Sequence, residues 1–479
     1  MQLKELIACL RPVSMRGDSS IEITGIQFDS RLVEQGNLFV ATRGTVVDGH
    51  DYIANALQAG AVAVVCEHDA GLSLENCIIV PSSSKALGIL ASRWYGDPSK
   101  HLTLVGVTGT NGKTTVATLL YRLARAFGKK AGLLSTVCNY VNERSIASTH
   151  TTPDALELNQ LLRQMVDAGC EYAFMEVSSH AIAQDRIEGL DFDGGIFTNL
   201  TRDHIDFHKT FDNYRDTKKL FFDHLKPEAF AITNKDDKNG MVMVQNTKAR
   251  IKTYSTQSVA DYQAQILEEG FDGMLLSINR QEVFVPLVGR FNAYNILAIY
   301  GAAVSAGFGT EEVLRIISTL HSVNGRFETI RSPKGWTAIV DYAHTPDAVE
   351  NVINTINEIR KPGSELITVV GCGGNRDKGK RPMMASIAKK GSTRLILTSD
   401  NPRDEEPKDI LQDMLNGLTD AERRDTLVIE DRQTAIQTAC ALAHKDDVIL
   451  VAGKGHEDYQ IIKGTKHHFD DHEVIRQYI

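Results

Sequence analysis

The chain has 479 residues, is 42% hydrophobic and 24% charged, and carries a formal net charge of −9. That balance suits a globular protein of about two to four domains and argues against a general nucleic-acid binder or a basic membrane-surface protein. No apolar run is long enough for a membrane span, no signal-peptide core opens the chain, and the seven cysteines show no C-x-x-C spacing, so a reduced, cytoplasmic enzyme is expected.

The first segment, 1–13, reads as an amphipathic helix, and strand-like runs follow at 21–26, 37–41, 61–66 and 77–81, with a helical stretch over 51–60. Residues 1–100 are therefore expected to form a small α/β unit. Ser30 and Arg31 leave a strand exit where a hydroxyl and a guanidinium can bind a phosphate or sugar, or simply make a surface turn.

Residues 102–115, LTLVGVTGTNGKTT, carry the strongest local signal. An apolar, partly β-branched run predicts a buried parallel strand, and apolar residues at helical spacing follow the turn. Gly109, Thr110, Asn111, Gly112, Lys113, Thr114 and Thr115 lie between them. Backbone N–H groups in such a turn, together with the helix dipole, cradle phosphate. Lys113 would reach the β/γ-phosphates and the Thr114 hydroxyl would sit on Mg²⁺. Val107 stands where the general pattern has a glycine.

Strand-like runs at 131–136, 171–179 and 194–200 continue a parallel sheet over 101–325. Ligands bind beyond the carboxyl ends of such strands. Glu176 ends one strand, where an acid can hold Mg²⁺. His204 and His208 are four apart, but no third ligand stands at a zinc spacing, so zinc is not favoured. Lys218 lies in a helix with an apolar face, and spacing alone makes it a surface lysine. Asn292 and Asn295 open a helix rich in small residues, where amides can bond a nucleobase or cap. From 326 onwards, strands at 337–344, 365–374, 393–403 and 447–457 each run into a polar turn, predicting a second ligand-lined sheet edge.

The motifs GTNGKTT, MEVSSHA, TNLTRDHIDFH, GRFNAYN, NGRFE, DYAHTPD and AGKGHEDYQ, in this order over most of the chain, resemble the Mur ligase family. The resemblance implies an α/β protein of three domains: a UDP-sugar-binding domain (1–100), a central phosphate-loop ATPase domain (101–325) and a C-terminal Rossmann-like domain that receives an amino acid (326–479). It implies ATP-dependent ligation through an acyl phosphate formed on UDP-N-acetylmuramoyl-L-alanyl-D-glutamate, in a monomer. Lys113, Glu176, His204 and Lys218 would be catalytic; Thr114, Glu176, His204 and Lys218 would serve Mg²⁺, with Lys218 carbamylated to N6-carboxylysine.

For ATP the resemblance adds Asn292, Asn295, Arg326, Asp341 and His344 to the loop. For the nucleotide sugar it gives Phe28, Ser30, Thr151, Thr152, Ser178, Gln184 and Arg186, with Thr45-Val46-Val47 where some members carry His-Gln-Ala. Asp400, Asn401, Pro402 and Arg403 match the motif of members that take meso-2,6-diaminopimelate. Arg403 can grip its distal carboxylate bidentately, with Arg376, Gly453 and Glu457 at the other matching positions. Three alternatives carry different expectations: an L-lysine-adding relative, a folylpolyglutamate synthetase, which fits the first 100 residues and DNPR poorly, and a catalytically silent nucleotide-binding protein.

Overall fold

The computed structural model describes all residues except 45, 46, 69, 70, 72, 73 and 149. Three α/β sheets follow one another along the chain: five strands within Ser14–Ile79, eleven within Thr103–Val285 and six within Glu328–Ala452. The expected α/β architecture is present. Among the described residues no helix is long and apolar enough to cross a membrane.

The central sheet is organised around the strand Thr103–Thr108. Its parallel neighbours are Tyr172–Glu176 and Gly194–Phe197, registered Glu176 to Val107 and Phe197 to Thr108. Both neighbours therefore end level with the turn that follows Thr108. Leu104, Val105 and Val107 are fully buried, and burying each such side chain stabilises the fold by roughly 1.5–3 kcal/mol. Gly106 is a packing requirement, since a Cβ there would lie 2.6 Å from the Phe221 ring. The helix Lys113–Ala126 covers one face with Val116, Leu119, Leu120 and Leu123. Arg290–Ser305 covers the same face, and Gly301 lets it approach Tyr262.

Several elements depart from the sequence pattern. The first helix stops at Ile7, with Pro12 five residues on, and the 21–26 run is regular strand only over Gly25–Gln27. The short strand Ser14–Arg16 pairs antiparallel with Cys77–Ile79 and was not signalled. Nor were the strands Phe230–Asn234, Arg250–Ser255, Tyr262–Gly270 and Gly273–Ile278, which extend the central sheet. Arg250–Ser255 has its first three residues exposed, so its polar edge hides the alternation. Lys218 corrects the reading from spacing: it is 1% exposed, inside the helix Phe211–Asp223.

The C-terminal sheet is built on the parallel strands Thr337–Asp341, Val448–Ala452, Leu366–Val370 and Arg394–Leu397. A separate two-stranded hairpin, Tyr459–Ile462 with Thr465–His468, follows it.

Candidate functional site

A cavity of about 760 Å³ lies between the central and C-terminal sheets. Its wall includes the phosphate loop, Glu176, His204 and Lys218 on one side and Arg326, Asp341, Asp400, Arg403 and Glu457 on the other.

The loop is held by the strand end beside it. Thr110 N donates to Asn199 O (2.8 Å), and Asn111 N donates to Asn199 Oδ1 (2.9 Å). Thr198 Oγ1 donates to Asn111 O (2.6 Å). Gly112 has φ +85°, and a Cβ on it would lie 2.5 Å from Asn295 Oδ1, so the turn into the helix demands glycine. Gly109 is equally constrained, its would-be Cβ 1.9 Å from Thr198 Oγ1. Lys113 Nζ folds back on the carbonyls of Gly109 (3.0 Å) and Thr110 (2.8 Å). Burial lowers its pKa, opposed by the Glu176 and Asp203 carboxylates.

Lys218 Nζ donates to Gly109 O (2.9 Å) from the far side of the loop, with the Tyr214 ring 4.8 Å away. Burial first, and the Lys113 charge second, push its pKa well below the usual lysine range. An amine in that setting is readily neutral and nucleophilic. His204 sits at φ +53° before a short helix, its Nε2 3.3 Å from Asp203 Oδ2. Burial takes its imidazole down to about 4. His208 instead bonds the Ser179 hydroxyl at 3.0 Å, away from any shared metal face with His204.

Five of the residues expected at the nucleotide sugar form one network at the mouth of the central sheet. Thr152 Oγ1 donates to Glu176 O (2.8 Å) and accepts from Ser178 N (3.1 Å). Arg186 donates to Thr152 O (2.8 Å) and to Gln184 Oε1 (2.6 Å). Thr136 Oγ1 donates to Thr151 Oγ1 at 3.0 Å, while Thr136 N donates to Glu176 Oε1 at 2.8 Å. Phe28 and Ser30 do not line the cavity; Ser30 opens a 3-10 turn in the N-terminal sheet's loop, where Asp29 pairs with Arg31 at 2.6 Å. Thr45 and Val46 of the Thr45-Val46-Val47 run lie outside the described residues.

Asn292 and Asn295 do not cap their helix, whose N-cap is Gly289. Asn292 Nδ2 donates to Val288 O (2.8 Å), and Asn295 Nδ2 donates to Asn292 Oδ1 (2.8 Å), leaving Asn295 Oδ1 beside Gly112. From the C-terminal side, Arg326 Nη2 donates to Thr114 Oγ1 (3.1 Å) and its guanidinium lies over Tyr342, 4.4 Å from the ring centre. Asp341 accepts from the backbone of Phe327 and Ala343, each at 2.7 Å, and burial raises its pKa. His344 turns its Nδ1 to Tyr342 O (2.8 Å).

The DNPR turn stands opposite. Asp400 Oδ1 is buried with no hydrogen-bond partner among the described residues, the Lys454 ammonium lying 3.9 Å off. Glu457 accepts from Asn401 Nδ2 (2.7 Å), and burial, reinforced by Asp400, raises its pKa. Arg403 Nη1 donates to Gly374 O (2.8 Å). Gly453 has φ +117° and faces Asp400, and Arg376 is an exposed part of the wall. Pro402 does not line the cavity; its carbonyl packs against Gly374. Two carboxylates and a guanidinium in one pocket complement a ligand that bears both ammonium and carboxylate groups.

Asp347 and Lys380 are among the wall residues that were not singled out from sequence. Asp347 Oδ2 accepts from Asn111 Nδ2 (2.9 Å) and Thr201 Oγ1 (3.1 Å), so a C-terminal helix touches the phosphate loop itself. Lys380 Nζ donates to His344 O at 2.8 Å. Asp347 sits in the DYAHTPD run, whose acid three residues after His344 was the available signal.

The sequence matches family models described as Mur ligase family, catalytic domain (residues 22–95), Mur ligase middle domain (107–303) and Mur ligase, glutamate ligase domain (325–455). The UDP-N-acetylmuramoyl-L-alanyl-D-glutamate–2,6-diaminopimelate ligase of Parabacteroides distasonis is 61% identical over 479 residues, covering 100% of this chain and 99% of the relative. The protein of that name from Clostridioides difficile is 41% identical over 485 residues, covering 100% and 99%. A solved structure with the same name superposes with a TM-score of 0.72 at 33% identity, covering 100% of this chain and 98% of the other.

Proposed function

The chain belongs to the Mur ligase family, and we propose that it is the ATP-dependent ligase that joins meso-2,6-diaminopimelate to UDP-N-acetylmuramoyl-L-alanyl-D-glutamate in peptidoglycan precursor synthesis. One observation carries this reading: the phosphate loop, the Thr152 network and the DNPR turn open into the same cavity. Its working units are residues 1–100, 101–325 and 326–479, acting as a cytoplasmic monomer.

In this reading a carboxylate oxygen of the D-glutamate residue attacks the γ-phosphorus of ATP. An O–P bond forms, the β–γ bridge breaks and ADP leaves. The neutral amine of diaminopimelate then attacks the acyl carbon. The tetrahedral intermediate collapses with C–O cleavage, phosphate leaves and the nitrogen loses its proton. Lys113 and the loop N–H groups hold the β/γ-phosphates, while Arg326 closes over the Thr114 side of the loop. Asn292, Asn295 and Asp341 bound the rest of the nucleotide site, and Thr151, Thr152, Ser178, Gln184 and Arg186 place the nucleotide-sugar substrate.

The Thr114 hydroxyl and the Glu176 carboxylate are hard oxygen donors that fit Mg²⁺. No three His, Cys, Asp or Glu side chains cluster tightly enough among the described residues to hold a metal unaided, and any further ligands would come from substrate and water. Bound there with His204 and a carbamylated Lys218, Mg²⁺ would neutralise charge between triphosphate and carboxylate. Carbamylation adds the neutral Lys218 amine to the carbon of CO₂ and releases one proton, turning a repelling cation into an anion.

Asp400, whose Oδ1 has no hydrogen-bond partner among the described residues, and Glu457 suit the distal ammonium of the acceptor, and Arg403 its carboxylate. Purified protein with ATP and the UDP-dipeptide should release phosphate with diaminopimelate and far less with L-lysine. Equal release with both acceptors overturns the acceptor assignment, and release independent of the UDP-dipeptide overturns the ligase reading.

A further inference from the structure

The acceptor pocket's recognition turn has no sheet neighbour of its own, yet three of its four residues are fixed from one direction. Gln460 Nε2 donates to Asp400 O (2.8 Å). Ile461 N donates to Asn401 Oδ1 (2.9 Å), which turns the Asn401 amide so that its Nδ2 reaches Glu457. Arg403 N donates to Ile461 O (2.9 Å), and Lys463 N donates to Arg403 O (2.6 Å), a parallel bridge between Arg403 and Ile462. Pro402 has no N–H to give. All four contacts come from the hairpin Tyr459–Ile462 with Thr465–His468; the AGKGHEDYQ motif ends on its Tyr459 and Gln460, but no role above is given to either residue or to the rest of the hairpin.

Two further observations make this a frame for the turn. Arg403 sits at φ +54°, a conformation an arginine keeps only where its surroundings impose it. Its guanidinium is meanwhile steered by Gly374, whose own Cβ would lie 1.9 Å from Pro402 O. The hairpin, for its part, is a lone strand pair with a wholly exposed outer strand, marginal by itself. It is moored by the Lys454 ammonium on Tyr459 O, by Lys463 on Glu406 (3.0 Å) and by the turn. Hairpin and turn support each other, and the turn is held from its other side by Gly374 N, which donates to Asn401 O (2.9 Å).

We propose that this hairpin sets the acceptor specificity of the enzyme by holding Asp400, Asn401 and Arg403 in register, with Gln460 as the positioning residue. This rests on the reading of Arg403 as the grip on the distal carboxylate. Gln460 holds the turn through its side chain, so a substitution removes that hold while leaving the backbone ladder intact.

The test compares wild type, Gln460→Ala, Gln460→Glu and Arg403→Ala as full chains, measuring kcat and the KM of each substrate. Both Gln460 variants should raise the KM for diaminopimelate about five- to tenfold, the effect of one net hydrogen bond. The KM values for ATP and the UDP-dipeptide, kcat and the melting temperature should hold. An unchanged diaminopimelate KM, or a parallel rise in all three, overturns the proposal, the second because it marks a general loss of structure. Loss of diaminopimelate binding in Arg403→Ala but in neither Gln460 variant overturns the hairpin's role alone. Retained diaminopimelate binding in Arg403→Ala overturns the acceptor reading, and the hairpin's role with it.

Discussion

Lys218 is the residue whose environment most exceeds what its neighbours in the sequence announce. Inside TFDNYRDTKKLFFDHL it is one of two adjacent lysines, and only packing decides that it is buried against Gly109 O. Burial is a tertiary property, so helical spacing could not deliver it, and the motif resemblance implied only a role for the residue. Replacing Lys218 by Ala should lower turnover on the order of a hundredfold, the scale of losing one electrostatic contributor. Short carboxylic acids should restore part of it, and absence of any rescue in a folded variant counts against carbamylation. Arg403→Ala should raise the KM for diaminopimelate by about two orders of magnitude, as loss of a buried bidentate contact would. Its ATP affinity, read by calorimetry, should not move. Asp347 shows the opposite limit of legibility, because its partners Asn111 and Thr201 lie 236 and 146 residues away.

Several short, bounded apolar runs buried on both faces were legible, although Phe230–Asn234, buried throughout, was not. Tyr172–Glu176, Leu366–Val370 and Val448–Ala452 fell within their expected runs, and Thr103–Thr108 overlaps the expected 102–107 and ends one residue beyond it. Polar strands such as Arg250–Ser255 depend on a neighbour for their identity and were missed. The helix Arg432–Leu442 is tied to Asp471–Arg476 by a fully buried pair, Arg432 to Asp471, with both bonds at 2.8 Å. Arg432 also donates to Ala452 O, just before Gly453 in the cavity wall. Asp471→Asn should destabilise the protein by about 3–5 kcal/mol in denaturant unfolding, because it strands a buried guanidinium. A second tie has a pH signature. Hydrogen bonds from Arg381 pull Glu405 from an ordinary 4.5 to about 2. Since the folded pKa is depressed, its stabilisation is complete above pH 4.5 and fades as pH falls through 2. Glu405→Gln should flatten the acid limb of a stability–pH curve in that window.

At the scale of the whole molecule, the resemblance implied the order of domains and the approach of Arg326 and Asp341 to the phosphate loop, and the relative orientation of the domains was not legible. Strand ends signal that ligands bind beyond them, but only the assembled chain sets Arg326 on Thr114 and Asp347 on Asn111. Asp347→Ala removes the second bridge and leaves Asn111, an expected ATP-binding residue, in place without that partner. It should leave the melting temperature nearly unchanged and lower kcat, with a wider distribution of interdomain distances by single-molecule fluorescence. The Asn111–Asp347 bond has a further consequence. On the proposed function, a loop that holds the nucleotide and also carries the neighbouring domain makes the two ligand affinities thermodynamically linked. Whatever factor ATP exerts on acceptor binding, the acceptor must exert on ATP, and Asp347→Ala should bring both factors towards one together.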